Sequence, residues 1–326
     1  MAADDNDAMN NVPIAHPVPA PHGALRLTDW GVIRALGEDA RKFLHGQLTQ
    51  DVEHLQRGTA RLAGYCSAKG RLQATFVIWA TSADEVLLAC SADLLATVLK
   101  RLSMFVMRAK CKLSDASAEL PVWGLAGPLA GFDLPTAAWQ ISPQGSGVWI
   151  ALPPAVAVGS VTTARCLGVG VEAPAAPVLD AAIWDGLEVQ SGVARVVAAT
   201  AEQFVPQMVN LELVGGVNFQ KGCYPGQEIV ARSQYRGTLK RRAHVVQAAA
   251  ELAPGQEVFH SADAGQPAGM VVLAGRMPGG GLGGGAVGLI ELKVAALGDG
   301  TLHAGSVDGP LLTPTALPYA LPTEAA

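Results

Sequence analysis

From Gln203 to Arg242 the chain reads QFVPQMVNLELVGGVNFQKGCYPGQEIVARSQYRGTLKRR. Short apolar runs alternate here with glycine, amide and basic side chains, a mixture that few purely structural loops need. At its centre stands Lys221-Gly222-Cys223-Tyr224-Pro225-Gly226-Gln227-Glu228. Pro225 suits the first turn of a helix, Glu228 complements the positive end of the helix dipole, and Gly237 is a natural stop. These residues predict a short helix from about Pro225 to Arg236. Cys223 then lies just before a helix N-terminus with Lys221 two residues away, an arrangement that favours thiolate over thiol. Glu228, Arg232 and Arg236 follow at intervals of four and share one face. With its neighbours that stripe suits a carboxylate tail; alone it reads equally well as a solvated helix face.

Downstream, Arg232, Arg236, Lys240, Arg241 and Arg242 place five cations in eleven residues without an acid. This is a local anion-binding patch in a chain whose net charge is −5, suited to polyglutamate or to RNA phosphate. Tyr224 and Tyr235 are the nearby aromatics, fewer than an RNA reader interleaves with its basic residues, so RNA is the less favoured partner. The other cysteines, Cys66, Cys90, Cys111 and Cys166, sit in apolar surroundings and read as small core residues. No CxxC and no Cys/His cluster occurs, so no metal site is predicted. Free thiols in a chain of this length fit a reducing cytoplasm.

With 326 residues, half of them hydrophobic and 16% charged, the chain is long enough for two or three packed units. No apolar run approaches the ~20 residues that span a bilayer, so a membrane protein is not expected. Residues 1–23 are acidic, then rich in proline and alanine, without the basic flank and apolar core of a signal peptide, and read as a loose tail. Leu25 to Leu36 looks like a strand entering a helix at Asp39 to Leu48, where Ala40, Phe43, Leu44 and Leu48 share a face. Strands follow at Leu72–Ala80 and Glu85–Cys90, then a helix capped by Ser91 with a Leu94, Leu95, Val98, Leu99, Leu102 stripe. This order defines an α+β fold. Pro121 to Pro177 reads as irregular. From Ala243 onward, short apolar runs between turn signals predict a small β-barrel or sandwich. Gly279 to Gly285 reads as a hairpin loop, since it lacks the Lys-Ser/Thr ending of a phosphate loop. The expected units are therefore the tail, a region 24–242 of two interlaced subdomains, and a C-terminal domain 243–326.

KGCYPGQE resembles the KGCYxGQE signature of the YgfZ proteins, relatives of the glycine-cleavage T-protein. Asp29-Trp30, GEDARKFLHGQLTQDV from Gly37 to Val52, and Ser67-Ala68-Lys69-Gly70-Arg71 resemble that family's N-terminal half. The resemblance implies a T-protein-like ring of three domains with a C-terminal β-barrel, and tetrahydrofolate as cofactor. It associates Trp30 and Trp184 with the folate, either ring being able to stack on the pterin or aminobenzoyl group; the competing reading is that both are core. It extends the folate-binding set to Lys221, Gly222, Tyr224, Gln227, Glu228, Arg232 and Arg236, with Cys223 as the functional thiol. The T-protein keeps an acid near the folate, but Lys69 to Thr75 carries no carboxylate, so aminomethyl transfer is not expected. The implied role is a folate-binding accessory to iron–sulfur cluster assembly or repair in client enzymes, including tRNA-modifying ones. The chain lacks a four-thiolate cluster site, so contact with a cluster would be transient or shared with a partner. The alternatives are a folate-dependent one-carbon transferase or demethylase, and an RNA-binding accessory protein.

Overall fold

The computed structural model describes residues 20–128, 134–156, 162–235, 239–278 and 285–322. The chain opens with β1 (Gly23–Arg26), β2 (Trp30–Leu36), α1 (Ala40–His45), β3 (Ala60–Cys66), β4 (Leu72–Ala80) and β5 (Glu85–Ser91). α2 (Ala92–Val106) and β6 (Lys112–Asp115) complete the first half. Five of these strands form an antiparallel sheet in the order β3-β4-β5-β2-β6. Strand β4, LQATFVIWA, is buried at all nine positions because both of its faces are covered. A strand covered on both faces needs no polar alternation, which explains the apolar run Phe76–Ala80. Leu94, Leu95, Val98 and Leu102 bury the inner face of α2. Ser91 stands at the N-cap of α2, but its side chain makes no cap bond and instead accepts from Arg195 Nη1 at 3.3 Å.

The Leu25 to Leu36 reading needs correction. Those residues contribute to two strands in different sheets: β1 pairs with β7 (Val122–Ala126), whereas β2 pairs with β5 and β6. A turn at Thr28 and Asp29 separates them. The irregular Pro121 to Pro177 stretch is a second correction. With β7 it contains β8 (Ile141–Gln144), β9 (Gly147–Val156) and β10 (Thr162–Val169), giving a second five-stranded sheet in the order β1-β7-β10-β9-β8. Its glycines read as chain breakers but serve as sockets for tryptophan. A Cβ on Gly124 would lie 2.9 Å from the Trp184 ring, and one on Gly168 would lie 2.5 Å from Trp149. Removing a side chain from a strand here makes room for an indole, a use local sequence does not disclose.

Helix α3 (Ala181–Gln190) follows, its Asp180 cap accepting from the Ala182 amide at 2.7 Å. Next comes α4 (Gln227–Tyr235), and then β11 (Arg241–Ala248), β12 (Glu257–His260), β13 (Gly269–Met277), β14 (Gly285–Lys293), β15 (Leu302–Ala304) and β16 (Leu311–Thr315). These six close into a barrel in the order β11-β14-β13-β12-β15-β16. The Gly279 to Gly284 part of the glycine cluster lies outside the described residues, but β13 and β14 on either side pair antiparallel, Met277 opposite Gly285. α3 lies against β13 with no side chain between the two backbones: a Cβ on Gly275 would fall 2.7 Å from Gly186 Cα. Among the described residues no helix is long and apolar enough to cross a membrane.

Candidate functional site

Cys223 is the one fully exposed thiol; Cys66, Cys90 and Cys166 are buried and Cys111 is half-buried. Burial pushes Cys66 and Cys90 up to about 12 and Cys111 and Cys166 up to about 11, leaving them protonated at neutral pH. The loop carrying Cys223 is pinned on both sides. Before it, buried Lys221 donates to the carbonyls of His45 and Leu48, the latter at 2.8 Å, and its ammonium lies 4.9 Å over the Tyr224 ring. After it, Gly226 adopts φ +78° and meets Gly70 at φ +70°. A Cβ on Gly226 would lie 2.6 Å from the Gly70 backbone, and one on Gly70 would lie 2.8 Å from Ile229 Cβ. The two signature segments KGCYPGQE and SAKGR therefore interlock through glycines that need both the positive φ and the missing side chain.

A third segment, His45-Gly46-Gln47-Leu48-Thr49-Gln50-Asp51, holds the approach to the loop. Thr49 Oγ1 donates to Gly216 O at 2.6 Å and accepts from the Gly64 amide at 2.7 Å. Gln50 Nε2 donates to Gly215 O at 2.7 Å, and the Asn218 amide donates to Thr49 O at 2.9 Å. His45 Nε2 would stand 3.6 Å from a Cβ on Gly222, so this ring borders the thiol loop. Its Nδ1 is 3.1 Å from Asp51, which also meets His54 Nδ1 at 2.9 Å. Burial alone would push the Asp51 carboxyl up, but the His54 amide and ring and the His45 charge bring it below the usual range. Burial lowers Lys221 to about 8, against the upward pull of Asp51, Cys223 and Glu53. The exposed Cys223 thiol thus sits on a loop flanked by the Lys221 ammonium and the His45 imidazole.

The second element is a narrow cleft of about 40 Å³ lined by Trp30, Phe76, Trp139, Arg165, Glu188 and Arg195, among others. α3 ends at Gln190 and the chain reverses at Gly192, φ +66°, returning Arg195 to Glu188. Their ion pair is 2.7 Å long and buried; Asp29 joins it at 2.9 Å, and the guanidinium lies 5.0 Å over the Trp30 ring. Burial works against the Arg195 charge, but Glu188 and Asp29 outweigh it and hold the proton more firmly than usual. Beyond this pair a second hollow is lined by Asp29, Asp93, Asp185 and the same Glu188 and Arg195. Burial first, then the neighbouring Glu188 carboxylate, push Asp185 up to about 7.

Of the sequence-predicted residues, Trp30 lines the cleft but Trp184 does not. Trp184 is 1% exposed, seated on Gly124 with the Arg165 guanidinium 5.5 Å over its ring. Lys221 to Glu228 contribute nothing to the cleft lining among the described residues. The thiol loop sits at the β3–β4 turn, while Thr75 to Val77 of β4 reach the cleft. Five residue steps of extended chain lead from Gly70 to Thr75, roughly 15–17 Å. α4 begins at Gln227, later than predicted, because Pro225 and Gly226 form the turn that meets Gly70; Cys223 therefore precedes the first helical residue by four positions. Glu228 and Arg232 do share an exposed groove, with Tyr235. Arg236 and Gly237 lie outside the described residues. The basic patch is reduced, since Arg241 pairs with buried Glu291 and buried Arg242 pairs with Glu212. Glu188, Arg195 and Arg165 were missed; isolated charges inside apolar runs, as in Leu187-Glu188-Val189 and Ala194-Arg195-Val196, were the available signal.

No family model matches the sequence. The fold is that of the T-protein aminomethyltransferases. The crystal structure of glycine cleavage system aminomethyltransferase T from Bartonella henselae superimposes with a TM-score of 0.69 at 16% identity, covering 92% of this chain and 86% of that one. The sequence is 32% identical over 232 residues to the tRNA-modifying protein YgfZ of Colwellia psychrerythraea, 67% of this chain and 69% of that protein. It is 31% identical over 244 residues to the tRNA-modifying protein YgfZ of Serratia proteamaculans, 72% of this chain and 73% of that one. The chain belongs to the YgfZ family, as the resemblance of its KGCYPGQE segment implied.

The cleft's composition fits the pterin of a folate. Its walls offer the indoles of Trp30 and Trp139, and Trp30 Nε1 and Arg165 Nη1 are buried donors without a protein partner. β4 contributes Thr75 rather than a carboxylate, and Glu188 reaches the cleft from α3.

Proposed function

We propose that this protein binds tetrahydrofolate in the Trp30 cleft and supports iron–sulfur enzymes, among them tRNA-modifying ones, through the thiol of Cys223. The observation that carries the proposal is the exposure of Cys223 alone among five cysteines, on a loop clamped by Lys221 on one side and the Gly226–Gly70 contact on the other. A thiol kept in the open by that much surrounding order is used at the surface, against another macromolecule. The fold and the family membership support the folate reading, as do the aromatic walls and unpartnered donors of the cleft. A protein with one accessible thiol hands over or shields a cluster rather than housing one.

The test is complementation of a strain lacking its own YgfZ, scored by mass spectrometry of the tRNA nucleosides whose formation needs iron–sulfur enzymes. The wild-type chain is expected to restore them and Cys223→Ser to leave them low despite equal protein levels. Equal restoration by both removes the thiol from the function. Separately, titration with tetrahydrofolate is expected to quench tryptophan fluorescence in wild type and Cys223→Ser alike and to lose affinity in Trp30→Phe.

A further inference from the structure

Among the buried side-chain polar atoms without a hydrogen-bond partner, Trp30 Nε1 and Arg165 Nη1 belong to residues lining the same cleft. Both groups only donate. Arg165 is 4% exposed, and its Nε and Nη2 donate to a single carbonyl, Pro153 O, at 3.3 and 3.0 Å. Among the described residues no carboxylate lies within ion-pair distance of it; Glu188, the cleft's carboxylate, is taken by Arg195. Burial lowers Arg165 only to about 10, so it keeps its charge at neutral pH. The cleft is thus built from apolar walls, the Glu188–Arg195 ion pair, and one guanidinium that no carboxylate touches, its charge met by Glu188 at a distance and by the Trp184 ring at 5.5 Å.

Such a site asks for an acceptor fixed to a flat, apolar-faced body. A bare phosphate or carboxylate would satisfy Arg165 but would make no use of the apolar lining around it, of which Trp139 is the least buried aromatic. A heterocycle with a ring carbonyl satisfies both. We infer that Arg165 reads the ring carbonyl of the pterin, so that the cleft accepts 4-oxo pterins and discriminates against their 4-amino counterparts. The inference rests on the folate reading and adds to it the residue that sets specificity. Replacing the carbonyl by an amino group turns the acceptor into a donor facing a donor, and it makes the ring more basic beside a cation that no carboxylate touches. A charge-assisted hydrogen bond of this kind corresponds to roughly ten- to hundredfold in affinity.

The experiment compares tetrahydrofolate with its 4-amino-4-deoxy counterpart, by calorimetry on the full chain, in wild type, Arg165→Met and Arg165→Lys. Wild type is expected to prefer the 4-oxo compound by roughly tenfold or more, Arg165→Met to lose that preference, and Arg165→Lys to keep part of it. Binding of both compounds by wild type with equal affinity overturns the role of Arg165 and leaves folate binding standing. Retention of the full preference in Arg165→Met likewise overturns it. Failure of wild type to bind either compound overturns the folate reading and this inference together. If Arg165→Met does not fold, the two wild-type affinities decide the matter.

Discussion

Asp185 offers a measurable test of how the fold gathers charge around Arg195. Its carboxyl is pushed up to about 7 from 3.8, first by burial and then by Glu188, with Arg195 pulling the other way. Between pH ~4 and ~7 the native state holds a proton there that the unfolded chain has released, so stability falls as pH rises through that window and levels off above it. The full difference of about three units corresponds to ~4 kcal/mol at ~1.4 kcal/mol per unit. Because the side chain is only half-buried, solvent screening reduces the expected effect to about 2 kcal/mol. Asp185→Asn removes the titration while keeping the shape. Urea unfolding of both proteins from pH 4 to pH 8 should show the variant gaining on wild type through the window, reaching about 2 kcal/mol at pH 8. Parallel curves, or a gap that widens below pH 4 instead, would refute the account of a carboxyl crowded by Glu188 behind the cleft.

Gly226→Ala forces a side chain onto the Gly70 backbone at positive φ, and a loss of about 2–4 kcal/mol is expected, read as a lower thermal midpoint. Brief alkylation of the native protein should add one label, at Cys223, and none in Cys223→Ser; labelling of Cys66 or Cys90 at a similar rate contradicts their burial. Glu212→Gln strips Arg242 of its carboxylate inside the structure and should cost about 3 kcal/mol, whereas an unchanged midpoint would show that pair to be dispensable. Lys221→Met frees the His45 and Leu48 carbonyls, and faster amide exchange of the Asn218 to Tyr224 loop is the expected signature.

The sequence was legible where local chemistry and fold agree. β4, β5 and α2 announced themselves through apolar runs and a helical stripe, and the C-terminal barrel through short apolar runs between turn signals. The thiol loop was legible because Gly, Cys, Pro and Gly in that order serve no repetitive structure. The second sheet was not legible, because Gly124 and Gly168 look like breakers until the tryptophans they seat are known. The cleft was half legible: Trp30 could be singled out, but Glu188 and Arg195 meet only after the chain reverses at Gly192, and Arg165 arrives from another sheet. The basic run misled for a related reason, since the acids that neutralise Arg241 and Arg242 are Glu291 and Glu212, 50 and 30 residues away.

The bare contact between Gly186 and Gly275 has a mechanical meaning. Two backbones in direct touch leave no flexible side chain to absorb play, so a shift of the barrel strand is transmitted to the helix undiminished. Glu188 stands two residues further along that helix. A displacement of the barrel strand would therefore be felt first at the Glu188–Arg195 ion pair in the wall of the cleft.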